Sequence, residues 1–293
     1  MSEITSIRSD ELGVTNKDKK CAPNLTFENG SCIRLGILVD MVKAYNSENS
    51  SNQIKLHDRL ETLNPQKYKK YLLKEIKNII GDKCTTQQCW ANQGFIRKMN
   101  SKAKDELKKY TFRPEGPEGK FEWLNTYNIN NVMNQYEKKY DEFKYLGTVP
   151  MDFDNLDSLG IRNLNFDNLY NKGKTKLGIV FNLDESWKSG SHWVAMYADL
   201  KNNEVNYFDS YGLPPEKRVR SLMRRVVNFC ENKNNTSCNS THNKIRHQYE
   251  NSECGVYSIN FILRSLKGES FDHISKSKIP DKKINKCRRK YFT

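Results

Sequence analysis

The chain lacks the features that mark membrane, secreted or phosphate-binding proteins. No apolar run approaches the roughly 18 residues that a membrane helix needs, and the opening residues 1–8 have no apolar core of a signal peptide. No glycine-rich loop of the phosphate-cradling type is present either. We therefore expect a protein without a membrane partner in a reducing compartment, where its eight cysteines are mainly free thiols.

What the sequence has in excess is positive charge, with a formal net charge of +14 over 293 residues. Such a surface attracts nucleic acid or acidic partners at low salt, although a merely solvated surface explains it equally well. The basic residues are densest at 67–77 and 276–290, and neither segment interleaves aromatic residues in a way that specifies nucleic-acid recognition. Charge therefore predicts at most a weak contact with nucleic acid through this basic surface.

The segment 113–119 is the candidate domain boundary, because two prolines and two glycines in seven residues cannot continue a helix. Before it, apolar residues recur at helical spacing in three stretches. These stretches are 35–45, 68–80 and 90–110. We predict a helical N-terminal arm or accessory domain over 1–115 and a second domain over 116–293.

The second domain mixes helical and strand patterns. An amphipathic helix is predicted over 129–143, and helices are also predicted over 219–230 and from 254 to 266, before Gly268. Short runs rich in β-branched and aromatic residues predict strands, and a polar turn at 201–203 should join two of them as a hairpin. These runs are 177–183, 193–200 and 205–208. The fold class is therefore α+β, and residues 232–243 are expected to form a polar loop.

Four residues with complementary chemistry follow one another along the second domain. They are His192 in Gly-Ser-His-Trp, Asp209 in Tyr-Phe-Asp-Ser, Gln248, and Cys254 before Gly255. A cysteine nucleophile needs a base to take its proton, a carboxylate to orient that base, and a donor for the oxyanion. His192, Asp209 and Gln248 are candidates for these three roles, in that order, with Cys254 as the nucleophile.

The predicted elements would bring these residues together. Cys254 lies where a loop becomes a helix, and a helix N-terminus favours the thiolate. His192 precedes one strand of the predicted hairpin and Asp209 ends the other, so antiparallel pairing would place them side by side. Each residue alone has an ordinary explanation, such as a buried cysteine, a packed histidine or a turn aspartate. Their joint occurrence in suitable elements favours catalysis.

In these segments, and in Glu122-Trp123-Leu124-Asn125, the sequence resembles the superfamily of cysteine proteases that contains adenain and the SUMO proteases. The resemblance covers roughly residues 118–270, and its details are most similar to the structural-polyprotein proteases of large DNA viruses, of the African swine fever virus type. It implies a papain-like, adenain-like core, a small mixed sheet flanked by helices, after a helical arm. It also implies that Trp123 and Trp193 enclose a narrow tunnel for glycine residues of the substrate.

The function that the resemblance implies is cleavage after Gly-Gly-like sites in viral structural polyproteins during virion maturation. The protein would need no cofactor and no metal, and it would act in the host cytoplasm, at the virus factory, and in the virion. The same core could instead remove ubiquitin or SUMO from host conjugates, or transfer acetyl groups from acetyl-CoA. A non-catalytic binding module is the third alternative, and a zinc site is the fourth. That site would use the four residues Cys230, Cys238, His242 and His247, but their spacing fits no common zinc finger.

Overall fold

The computed structural model describes residues 12–117, 119 and 122–293, with the side chains of residues 58–60 left out. The chain divides into two compact units, one up to Pro114 and one from Glu115 to Phe292. The division falls within the segment 113–119, where prolines and glycines prevent a continuous helix.

The first unit is helical. Its helices are α1 (Leu35–Glu48), α2 (Asp58–Leu63), α3 (Pro65–Ile80), α4 (Gln87–Trp90) and α5 (Ser101–Tyr110). α3 shows how local sequence sets a helix: the Asn64 side chain accepts the Lys67 N–H at 3.1 Å, and Pro65 occupies the first position. The continuous helix predicted over 90–110 is wrong, because Asn100 caps a new helix after a short 3₁₀ segment, Gly94–Lys98.

Two disulfides cross-link this unit, so the expectation of mainly free cysteines is wrong for half of them. Cys21 bonds to Cys32 and Cys84 to Cys89, with Cα–Cα distances of 5.3 and 5.6 Å. A disulfide depends on this spatial approach, which sequence spacing alone does not reveal. The free cysteines among the described residues all belong to the second unit, and they are Cys230, Cys238, Cys254 and Cys287.

The second unit mixes strands and helices. Its strands are β1 (Phe143–Val149), β2 (Lys176–Asn182), β3 (Trp193–Asp199), β4 (Glu204–Phe208) and β5 (Asn239–His242). Its helices are α6 (Thr126–Lys139), α7 (Phe166–Asn171), α8 (Lys217–Asn234), α9 (Cys254–Leu266), α10 (Phe271–Lys276), α11 (Asp281–Ile284) and α12 (Arg288–Tyr291). Two sequence predictions need correction: Phe143 opens a strand instead of closing a helix, and β5 forms within the expected polar loop.

The five strands form one mixed sheet in the order β1-β2-β3-β4-β5. The two outer pairs are parallel and the two inner pairs antiparallel. β3 and β4 form the predicted hairpin, with Ala195 opposite Phe208 and Asp199 opposite Glu204. At its turn the Asp199 carboxylate accepts the N–H groups of Lys201 and Asn202, both at 3.1 Å.

Helices cover both faces of the mixed sheet. α6 and α9 contribute to the core on one face, and α8 packs on the other. α9 is buried nearly all round, so the residue at its first position is fixed by the core. No helix in the described part of the chain is both long and apolar enough to cross a membrane.

Candidate active site

Cys254 is the first residue of α9 and only 2% of it is exposed. Its neighbour Gly255 permits this burial, because a Cβ at Gly255 would lie 3.0 Å from the Leu124 side chain and 3.3 Å from that of Trp193. A larger residue would push α9 away from both. The thiol is thus held at the start of a rigid helix, where backbone N–H groups have no helical acceptor.

His192 lies at the end of the β2–β3 loop, directly before β3. Gly190 shapes this loop with a φ of +91°, and a Cβ there would lie 2.6 Å from the Asn182 amide nitrogen. The Asn182 side chain in turn accepts the Ser191 N–H at 3.2 Å. This loop therefore sets the direction in which the imidazole points.

The hairpin places Asp209 beside His192, as strand pairing predicted. Nε2 of His192 lies 2.6 Å from Oδ1 of Asp209, and both residues are buried. The imidazole also interacts with the Cys254 side chain, which raises the pKa of the ring. One ring therefore connects the carboxylate to the sulfur, which is the arrangement that an activated thiol requires.

The environment of His192 favours its charged form. Burial acts to lower the pKa, but the hydrogen bond to Asp209 and the interaction with Cys254 outweigh it and raise the pKa to about 9. The imidazolium therefore persists at neutral pH, and a proton taken from the thiol has a stable place to reside. Such a perturbed group in contact with a thiol is typical of a catalytic site.

Asp209 is fixed by Tyr211, two positions further on, and by Asn243 from another segment. Its carboxylate accepts the Tyr211 N–H at 2.8 Å, and its backbone N–H donates to the Asn243 side chain at 2.9 Å. Asn243 follows β5 and donates back to the Asp209 carbonyl at 2.6 Å. Asn243 was not predicted from the sequence, because an asparagine in an Asn-rich loop carries no distinguishing signal.

Gln248 is fully buried near the loop that leads to Cys254. Its Oε1 accepts the Ser210 hydroxyl at 2.6 Å, and its Nε2 donates to the Glu250 carbonyl at 2.8 Å. An amide nitrogen has two N–H donors, and the hydrogen bonds among the described residues account for one. Those hydrogen bonds leave the other donor unused.

Trp123 and Trp193 line the same cleft, which has a volume of about 370 Å³. Trp193 is 6% exposed and donates its indole N–H to the Leu124 carbonyl at 2.8 Å, whereas Trp123 is 46% exposed. The cleft adjoins the candidate nucleophile, since Trp193 directly follows His192 and packs beside Gly255. Both predicted substrate-binding residues are thus brought to one place.

The C-terminal helices hold the segment before Cys254. Arg288, with no exposed surface, donates to the Ser252 carbonyl at 2.9 Å, and Asn285 donates to the Glu253 carboxylate at 2.6 Å. Asp281 accepts the backbone N–H groups of Tyr249 and Glu250 at 2.8 and 3.1 Å. In the sequence this segment shows only its positive charge, and its buried contacts were not predicted.

We expect Arg288→Met to destabilise the protein by about 1–3 kcal/mol, because the buried Ser252 carbonyl loses its hydrogen-bond donor. Urea unfolding followed by tryptophan fluorescence measures the loss. Arg289→Met is the matched control, since Arg289 is exposed. Equal unfolding midpoints for the two variants would contradict the structural role of Arg288.

The alternative zinc site gains no support from the structure. No group of three or more His, Cys, Asp or Glu side chains in the described part of the chain could hold a metal ion. His247 instead bonds through Nε2 to the Ser275 carbonyl at 3.0 Å.

Comparison with known proteins gives concordant matches. The profile of the Ulp1 protease family, C-terminal catalytic domain, matches residues 174–293. A putative thiol protease of Acanthamoeba polyphaga mimivirus is 38% identical over 272 residues, or 90% of each chain. The SUMO-1 cysteine protease of African swine fever virus is 25% identical over 244 residues, or 76% of this chain and 89% of the relative.

A solved structure has the same fold. The crystal structure of the African swine fever virus protease aligns with a TM-score of 0.64 over 96% of this chain and 97% of that one, at 22% identity. The alignment covers far more of the chain than residues 118–270, to which the sequence resemblance was confined. The predicted core, a mixed sheet flanked by helices after a helical N-terminal region, is confirmed.

Proposed function

Because the chain belongs to the Ulp1-like family of viral cysteine proteases, we propose that it cuts viral structural polyproteins after Gly-Gly-like sites during virion maturation. The observation that carries this proposal is the His192 ring, which is hydrogen-bonded to Asp209 and interacts with the Cys254 side chain. The host cytoplasm, at the virus factory, and the virion are the proposed places of action. A weak contact with nucleic acid through the basic surface remains a prediction.

In the proposed reaction, His192 is the base on which the thiol proton resides, and the Cys254 thiolate attacks the scissile carbonyl carbon. The Gln248 amide and the Cys254 backbone N–H stabilise the oxyanion. When the C–N bond breaks, His192 gives its proton to the leaving amine and a thioester remains. Water then attacks the thioester, loses a proton to His192, and releases the acid product and the Cys254 thiolate.

The demand for glycine would come from the cleft between the two tryptophans. A substrate chain that passes between Trp123 and Trp193 to reach Cys254 would have an aromatic ring against its backbone on each side. Glycine, with no Cβ, is the residue that permits such a close approach.

The test is digestion of a proteome-derived peptide library by the purified protein, with sequencing of the new termini. Cleavage concentrated after Gly-Gly-like pairs, together with cutting of viral capsid precursors, is the expected result. Absence of any peptide cleavage, or cleavage without preference for glycine, would refute the proposal.

One variant tests the role of the cleft in substrate selectivity without changing a catalytic residue. We expect Trp123→Ala to accept larger residues before the cut, because it widens the cleft while the other wall remains. Trp193→Ala is less informative, since truncating a buried tryptophan costs about 3–5 kcal/mol of stability. The library profile provides the measurement, with the exposed Trp187, at 71% exposure, changed to alanine as the control. Unchanged selectivity in Trp123→Ala would remove Trp123 from the binding site.

A second candidate is removal of ubiquitin-like proteins from host conjugates, which the name of the swine fever virus relative favours. A ubiquitin or SUMO probe that ends in an electrophile after Gly-Gly distinguishes the two functions. Efficient labelling of Cys254 without cleavage of capsid precursors would establish this candidate in place of the first.

A further inference from the structure

The candidate site lies where the strands end, beside the central strand of the sheet. The C-terminal ends of β1, β2, β4 and β5 and the N-terminal end of β3 meet there, because Asn182 is opposite Trp193 and Tyr207 is opposite His242. His192 precedes the central strand. A bound substrate chain therefore has two directions in which to leave the reacting bond, toward β1 and β2 or toward β4 and β5.

The tryptophan cleft occupies the β1–β2 side. Besides the two tryptophans it is lined by Thr148 and Val149 from β1 and by Asn182 from β2. Under the proposed function this cleft holds the glycine residues before the scissile bond. The segment after the bond, which leaves as the amine, then lies on the β4–β5 side.

Four side chains on that side form a continuous stack, here called the aromatic–cation ladder: Tyr211, Arg246, Tyr249 and Lys278. Tyr211 is stacked on His192, with ring centroids 4.3 Å apart and planes at 6°. The Arg246 guanidinium lies 4.9 Å from the ring centroids of both tyrosines. Nζ of Lys278 lies 3.9 Å from the Tyr249 ring.

The ladder presents its cations and one of its rings to solvent. Arg246 and Lys278 are exposed, and Tyr249 is 61% exposed. The nearby Asp281 carboxylate does not form an ion pair with these cations at the surface. It is buried and accepts the Tyr249 N–H and the Tyr257 hydroxyl. The exposed cation–π contacts contribute only about 0.5–1 kcal/mol each, so stability alone is a weak reason for four ordered side chains.

We propose that the aromatic–cation ladder binds the substrate segment directly after the scissile bond and selects acidic residues in it. The inference rests on the proposed function, because His192 must protonate the amine at which this segment begins. An extended chain advances about 3.3 Å per residue, so the second and third residues after the bond come within reach of Arg246. The tyrosine faces provide flat surfaces for their peptide groups.

Arg246 is oriented for carboxylate recognition. Its Nε–H donates to the Gln248 carbonyl at 2.7 Å, which fixes the plane of the guanidinium. The guanidinium has five N–H donors, and the hydrogen bonds among the described residues use this one. The terminal nitrogens can therefore bind an aspartate or glutamate carboxylate through two parallel hydrogen bonds.

Two kinds of substrate test the inference separately from the function. A peptide that ends in Gly-Gly linked to a fluorescent amine has no residues after the bond, so its hydrolysis reports the catalytic centre alone. Paired quenched peptides share one sequence before the bond and carry glutamate or lysine at the second and third positions after it. We expect the wild-type protein to favour the glutamate peptide in kcat/KM by about 10-fold or more, as charge-assisted hydrogen bonds allow.

Substitutions of the two ladder cations test whether they cause that preference. In Arg246→Gln/Lys278→Gln the ratio between the paired peptides should fall to about twofold or less, each value being normalised to the fluorescent-amine substrate. Lys286→Gln, which removes one exposed positive charge elsewhere, should keep the wild-type ratio.

Equal cleavage of the paired peptides by an active wild-type protein overturns the inference and leaves the proposed function standing. A preference that survives in the double variant overturns it as well, as does binding of a single-stranded oligonucleotide by the ladder without any peptide preference. Inactivity toward the fluorescent-amine substrate refutes the proposed function and the inference together.

Discussion

Cys254→Ala is expected to lower kcat/KM for peptide cleavage by roughly 10⁴- to 10⁶-fold, because the thiol that forms the thioester is lost. The folded structure should persist, since alanine fits the first position of α9 and removes only the sulfur. The rate is measured with a quenched Gly-Gly peptide, and circular dichroism checks the fold.

A control must show that the effect belongs to this thiol and not to cysteine content. Cys238→Ala serves, because Cys238 is a free, half-buried cysteine beyond α8 that contacts Cys230 and no candidate site residue. It should cleave at the wild-type rate. Substantial turnover by Cys254→Ala would exclude Cys254 as the nucleophile.

Asp209→Asn is expected to reduce kcat/KM by about 10²- to 10⁴-fold, less than loss of the nucleophile. The amide keeps the size of the side chain but removes the carboxylate that orients His192 and stabilises its charge. The variant therefore distinguishes the electrostatic role of Asp209 from its packing.

The pH dependence of activity is a second measurement on Asp209→Asn. In the wild-type protein, activity should fall as the pH rises through about 9, where His192 loses the proton that the leaving amine needs. Without the Asp209 carboxylate the pKa of His192 falls toward its ordinary value, so the decline should move to lower pH. Asp167→Asn, an exposed carboxylate on α7, is the control. An unshifted profile would contradict the assignment.

The parts of the site that could be predicted from the sequence are those whose positions depend on residues close by in the chain. The turn at 201–203 sets the register of β3 and β4, and that register places Asp209 beside His192. The glycine after Cys254 and the apolar face of α9 likewise indicate a nucleophile at a buried helix start.

The remaining features depend on contacts between segments far apart in the chain. Tyr211 stacks on His192 in the β2–β3 loop, and Arg288 donates to the Ser252 carbonyl, 36 positions before it. A tyrosine after a turn and an arginine in a basic tail look like surface residues until the fold is known. The two disulfides were missed for the same reason, since chain spacing does not state which Cβ atoms approach each other.

The placement of these disulfides has a practical consequence for assays. The reductant that keeps the Cys254 thiol from oxidising can also open the bonds at Cys21–Cys32 and Cys84–Cys89. Closing loops of this size stabilises a fold by about 2–3 kcal/mol per bond in the chain-entropy treatment. The concentration of dithiothreitol should therefore be varied in assays. It determines whether the disulfides of the first unit stay closed, and it keeps the Cys254 thiol of the second unit reduced.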